Sequence, residues 1–191
     1  MREFLLLMNR TRTDSNFSVE NLSENGRIDI GCRFINSTLF SSYSLRRDVI
    51  THLILRGPPK PPLHLEIDGR NVRGLYPDER SIAGYIKKNI RSFEDRNVSA
   101  NIGVKIKREG LENFLERKKV APVLLHESGD DISDIELPDE PVFIVGDHRG
   151  VSDEDVEIMD KYDSTIISLG ETPYQAQQVS SFLNIFMDRR L

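Results

Sequence analysis

Two short apolar runs near the C-terminal end, each broken by a glycine, most narrow the folds open to this chain. The first is Val142-Phe-Ile-Val145, stopped at Gly146 and followed by Asp147-His-Arg-Gly150. The second is Thr165-Ile-Ile-Ser-Leu169, stopped at Gly170. Short runs rich in Val and Ile, bounded by glycine, read as buried strands. A third run, Ala121-Pro-Val-Leu-Leu125, ends in the turn His126-Glu-Ser-Gly129. Glycine turns bring bare N–H and C=O groups close together. At the carboxyl ends of parallel strands, such turns suit a ligand held by the main chain.

The rest of the chain alternates strand and helix patterns. Strands are expected at 3–8, 49–55 and 98–107, and a hairpin at 63–67 and 72–75. Helical spacing of apolar residues runs over 28–43, 77–93, 111–119, 153–162 and 173–188. An acidic loop is expected over 130–140. Alternation of this kind gives an α/β fold with a mostly parallel sheet flanked by helices. No repeat or low-complexity linker marks a boundary, so residues 1–191 read as one domain.

Charge divides the chain unevenly. Residues 1–120 hold 22 Lys and Arg against 15 Asp and Glu, and residues 121–191 hold 4 against 16. The basic part either presents a surface to phosphates or is a set of solvated helix faces. The lone Cys32 excludes an intramolecular disulfide and a cysteine metal cluster, so a reducing cytoplasm is the expected setting. No apolar run approaches the roughly 20 residues of a transmembrane helix. Neither a Gly-x-Gly-x-x-Gly nor a phosphate-binding Gly-x-x-x-x-Gly-Lys pattern is present, and no Gly-x-Ser-x-Gly surrounds Ser41, Ser42 or Ser44.

Several segments in this order carry a family resemblance: Met1-Arg-Glu-Phe, Gly26-Arg-Ile-Asp-Ile30, Arg46-Arg-Asp-Val49, Pro77-Asp-Glu-Arg-Ser81, Gly146-Asp-His-Arg-Gly150 and Ile167-Ser-Leu169. The chain resembles the SPOUT methyltransferases, and within them the archaeal tRNA pseudouridine N1-methyltransferases that act at tRNA position 54. The resemblance implies a C-terminal trefoil knot over about 121–191, with S-adenosyl-L-methionine as cofactor. It also implies tRNA as substrate, a homodimer, and no requirement for metal or membrane. Carried over position by position, cofactor contacts fall at Leu125, Gly146, Leu169, Gly170, Glu171, Thr172, Pro173, Tyr174 and Val179. The family often has a cysteine where this chain has Val179, so a thiol plays no part there.

Removal of the pseudouridine N1 proton needs an acceptor, and Asp29 is the candidate for that catalytic role. If its segment is extended, its side chain points away from Ile28 and Ile30. Alternatively, Asp29 caps a helix or pairs with Arg33. Arg33, Arg46 and Arg47 are candidate RNA contacts, with Arg56 and Lys60 beside them, because guanidinium groups bind phosphate bidentately. One of the arginine pair instead neutralises Asp48 or Asp29. Asp78, Glu79 and Arg80 serve either helix-end electrostatics or a dimer or RNA surface. Asp147 orders its turn, while His148 and His126 read as structural. The apolar final helix packs on its own core or on a partner. Three alternatives share these features: a SPOUT enzyme acting on ribosomal RNA or a ribose 2′-hydroxyl, a non-enzymatic RNA-binding protein, and a nucleotide-binding module.

Overall fold

The computed structural model describes residues 1–42 and 44–190. Seven strands form one sheet: β1 (Arg2–Met8), β2 (Val49–Leu55), β3 (Leu63–Asp68), β4 (Val104–Lys107), β5 (Val123–Asp131), β6 (Val142–Gly146) and β7 (Thr165–Ser168). Five helices cover it: α1 (Ile28–Leu39), α2 (Glu79–Arg96), α3 (Leu111–Lys118), α4 (Asp153–Asp160) and α5 (Ala176–Asp188). The strand order is β4-β3-β2-β1-β6-β5-β7. All pairings from β2 to β7 are parallel, and β3 and β4 extend the sheet antiparallel. The carboxyl ends of β1, β2, β5, β6 and β7 therefore share one edge. None of the described helices is long and apolar enough to cross a membrane.

β1 and β6 run through the centre and are apolar on both faces, as strands covered by helices on each side must be. Phe4, Leu6 and Met8 face a layer that includes α1 and α5, while Leu5 and Leu7 face α3 and α4. Arg2 pins the two ends of the chain together. Its buried guanidinium donates to Asn184 O at 2.9 Å and to the carboxylates of Asp48 and Asp188 at 2.8 and 2.5 Å.

The structure corrects four sequence expectations. Val72–Leu75 is not a strand: Asn71 and Val72 donate to Asp68 O and close a turn, and Val72 and Leu75 are buried as anchors of a loop. The antiparallel partners of β3 are instead β2 and β4. The strand expected over 98–107 starts only at Val104, after a helix end at Asn97 in the left-handed region. The start of the acidic loop belongs to β5, where Asp130 and Asp131 pair with Ile167 and Ser168. The first helix ends at Leu39. Tyr43, the end expected for it, lies outside the described residues.

A buried polar chain crosses the α3 face of the sheet. His52 Nε2 lies 2.8 Å from Glu3, His52 Nδ1 lies 3.0 Å from His64 Nε2, and His64 Nδ1 lies 2.7 Å from Glu109. Lys118 and Arg117 close its two ends on Glu3 and Glu109. Burial raises the Glu3 carboxyl, but hydrogen bonds from His52 and Lys118 outweigh it and hold Glu3 at about 2 against 4.5. His64 and Arg117 hold Glu109 at about 2 as well. Burial pushes His52 down to about 4 from 6.5. In each case the unfolded state takes up a proton before the folded state does. Stability therefore falls as pH drops from about 6.5 toward 2, first through His52 and then through the two carboxylates. Thermal melts should show Tm declining steadily across that window. A flat profile down to about pH 3 would contradict it.

Candidate active site

The carboxyl ends of β5, β6 and β7 open on a cavity of about 380 Å³. Three stretches of chain line it. Leu125, His126 and Glu127 stand where β5 leaves its register with β7, a bulge that lasts until Asp130. Gly146 to Val151 form the second turn. The third runs from Ile167 through Leu169 and Gly170 to Thr172, Pro173 and Tyr174, and Val179 on α5 completes the lining.

The glycines are where the main chain comes closest. A Cβ on Gly146 would lie 2.3 Å from the carbonyl carbon of Gly150, and one on Gly129 would lie 2.6 Å from that of Ile167. Gly170 has φ +103°, which side-chain-bearing residues rarely adopt. Ser168 Oγ accepts from Gly170 N at 3.0 Å and sets that turn. Asp147 orders the middle turn. Its carboxylate accepts from the N–H groups of Asn9 and Arg149 at 2.7 and 2.9 Å and from Asn9 Nδ2 at 3.1 Å.

The cavity brings together eight of the nine residues expected to contact a cofactor: Leu125, Gly146, Leu169, Gly170, Thr172, Pro173, Tyr174 and Val179. Glu171 sits in the same turn, exposed, and does not line the cavity.

A second cavity, of about 570 Å³, adjoins this edge. Asn9 and Arg10 follow β1, Arg56 and Gly57 follow β2, and Gly26 and Arg27 precede α1. Gly26 and Gly57 pack so closely on the Arg10 carbonyl that a Cβ would lie 2.0 or 2.3 Å from its oxygen. The loop after β1 is thereby clamped from both sides. Arg56 makes a two-pronged ion pair with the buried Asp155, at 2.7 and 2.5 Å. Arg10 is exposed, and among the described residues its guanidinium makes no hydrogen bond or ion pair.

Asp29 is not on an extended segment. It lies in the first turn of α1, after Arg27 with φ +66°. Its buried carboxylate receives three bonds from Arg27, at 3.0, 3.0 and 3.3 Å, and one from Arg33. Burial alone raises its pKa, and the two arginines outweigh that and hold it below the usual carboxylate range. Arg33 also lies 3.7 Å from Glu79. Arg46 and Arg47 precede β2 and so stand at the opposite edge of the sheet from both cavities. Arg46 pairs with Asp188 at 2.8 Å, and Arg47 donates to Gly69 O at 2.7 Å. Lys60 belongs to neither cavity. Asp78 caps α2 through Ser81 N at 2.8 Å, and Arg80 pairs with Glu20 at 2.6 Å.

A family model described as "Putative SAM-dependent RNA methyltransferase" matches residues 1–190. The tRNA (pseudouridine(54)-N(1))-methyltransferase of Methanococcoides burtonii is 39% identical over 100% of this chain and 98% of its own length. The protein of that name from Methanopyrus kandleri is 35% identical over 98% of this chain and 93% of its own length. The chain belongs to this methyltransferase family. Among solved structures, Archaeoglobus fulgidus Nep1 bound to S-adenosylhomocysteine aligns with a TM-score of 0.71 over 98% of this chain and 97% of its own. At 15% identity that likeness shows the fold.

The cavity-lining residues that the sequence does not single out are Asn9, Arg10 and Arg27, and His148 lines both cavities. The signal for the first two was available, since they directly follow the first strand at its carboxyl end. For Arg27 there was none: its place follows from a left-handed backbone at a non-glycine residue.

Proposed function

We propose that this protein transfers a methyl group from S-adenosyl-L-methionine to N1 of pseudouridine 54 in the T-loop of tRNA. The observation that carries this reading is the three-turn cavity, in a chain that matches the named relatives along its whole length. The cavity suits the cofactor's chemistry: glycine turns give access to main-chain partners, and Leu125, Leu169 and Val179 offer apolar surface for a flat base. When bound, the cofactor supplies a methyl already activated by its sulfonium. The chain's task is to align N1 with that methyl and to give the N1 proton a destination.

Leu125, Gly146 and the stretch Leu169 to Tyr174, including Glu171, would hold the cofactor with Val179 beside it. Asp29 acts by fixing Arg27 and Arg33 rather than by taking a proton, because a carboxylate with two guanidinium partners is a weak base. Arg33 and the exposed Arg47 reach RNA phosphate at the periphery, and Arg46 steadies the end of α5 through Asp188. The last helix threads the loop before it, giving the family's knot. Its outer face bears the exposed Phe182 and Ile185, which pair with a second copy. Sedimentation should then report a dimer of 21.9 kDa chains, and a monomer at micromolar concentration would contradict the pairing. A soluble cytoplasmic enzyme fits this role.

The position is tested on tRNA that already carries pseudouridine 54. After incubation with protein and cofactor, fragment masses should place one added methyl, a net gain of CH₂, at that nucleotide. Methyl appearing elsewhere in tRNA, or only in ribosomal RNA, would move the substrate.

A further inference from the structure

His148 stands where the two cavities meet, and among the described residues it alone lines both. Its side chain is 37% exposed, and no hydrogen bond within the described residues engages its ring. Among the described residues the one carboxylate within 4 Å of its ring is Asp147, with Oδ1 3.8 Å from Nδ1, which leaves Nε2 for a ligand.

Among the described residues, the other carboxylates and imidazoles near the two cavities are occupied, or line only one cavity or neither. Asp147 is 1% exposed and already accepts three hydrogen bonds, from Asn9 and Arg149. Asp29 is buried between Arg27 and Arg33. Glu24 lines the second cavity but not the first, and His126 and Glu127 line the first but not the second.

We propose that His148 takes the N1 proton of the target base, which enters from the second cavity. This rests on the methyltransferase reading above. The N1–H bond breaks and its proton goes to Nε2 of the neutral imidazole. The N1 electron pair forms the new N1–CH₃ bond. The methyl–sulfur bond breaks with its pair left on sulfur, so the sulfonium charge disappears as the imidazolium charge appears. Asp147 lies on the Nδ1 side of the ring, with Oδ1 3.8 Å away, so Nε2 is the nitrogen left to face the base. Arg10, exposed on the wall of the second cavity, is placed to meet the phosphate of the incoming nucleotide.

The test compares wild-type protein with His148→Ala and His148→Gln in single turnovers on pseudouridine-containing T-loop RNA. Both variants should lose about 10²–10⁴-fold in rate, the range for a removed general base. Their affinities for S-adenosylhomocysteine and for the RNA should stay within threefold. Added imidazole should restore part of the rate in the Ala variant, which has room for it, and none in the Gln variant. Independently of activity, the His148 ring proton resonances of the wild type should shift on adding S-adenosylhomocysteine and pseudouridine RNA. They should shift less with RNA already methylated at N1. Active variants, or inactive variants without imidazole rescue together with an unmoved resonance, overturn the proposal. Wild-type protein that methylates no RNA overturns the methyltransferase reading, and this assignment with it.

Discussion

Replacing Gly146 by valine should weaken S-adenosylhomocysteine binding by more than about 100-fold, or about 2.7 kcal/mol, while leaving the protein folded. A Cβ at this position would lie 2.3, 2.5 and 2.7 Å from the carbonyl carbon, oxygen and Cα of Gly150. These are backbone atoms and cannot swing aside as a side chain would. The turn is closed by Gly150 N donating to Asp147 O at 2.9 Å and is tied to β1 through Asn9. Valine must therefore open the turn, and the middle wall of the cavity goes with it. The sheet has reason to survive, because Val142 to Val145 remain paired with β1, and Phe143 and Ile144 with β5. Calorimetry with S-adenosylhomocysteine, beside a circular dichroism melt, checks both halves. A variant that binds within threefold of wild type would show that the middle turn does not hold the cofactor.

The second large effect is on stability. Arg56→Ala should cost about 3–5 kcal/mol of unfolding free energy, because it strands a buried charge. The Asp155 side chain is 3% exposed, and both its oxygens receive Arg56 nitrogens. Ser152 also donates to it, in the capping box that starts α4. Burial raises the Asp155 pKa, and the bonds from Arg56 and Ser152 outweigh that. Without Arg56 the carboxylate keeps only the cap, and it becomes protonated or admits water. Replacing both partners by apolar residues of similar volume, as in Arg56→Met with Asp155→Leu, should recover much of the loss. Urea denaturation measures both. A single-variant loss below about 1 kcal/mol would mean that the pair is solvated and contributes little.

The sheet was legible in the sequence where local and tertiary demands agree. Val142 to Gly146 and Thr165 to Leu169 are apolar, β-branched and glycine-ended, and they fold as the strands and turns they look like. Val72 to Leu75 shows the opposite case. Its apolar residues are there to be buried, but the turn at Asp68 to Val72 occupies the backbone groups a ladder would need. Burial and strand pairing are separate demands, and periodicity reports only the first. The bulge in β5 was half visible. Gly129 marked a turn, but the return of Asp130 and Asp131 to the ladder depends on β7, 35 residues further on.

Charged residues were harder to place than apolar ones. Arg46 and Arg47 are adjacent in sequence, but at the amino end of β2 they part: Arg46 bonds to Asp188, while Arg47 donates to Gly69 O and stays exposed. Arg10 has no pattern around it in the sequence, and the topology sets it at the carboxyl end of β1, on the wall of the second cavity. A cation's role depends on which sheet edge it occupies, and that follows only once strand order is known. Asp29 illustrates the same limit. Arg27 and Arg33, two residues before it and four after, are close in sequence, but only the helical turn directs both at its carboxylate.

The most direct test of the account is methyl transfer from labelled S-adenosylmethionine to two T-arm transcripts that differ at one base. One carries pseudouridine at position 54 and the other uridine. In uridine the ring atom N1 is bonded to the ribose, whereas pseudouridine presents it as N–H. Label entering only the pseudouridine RNA is the predicted result. Equal labelling of both, or labelling of neither by protein that binds S-adenosylhomocysteine, would contradict it.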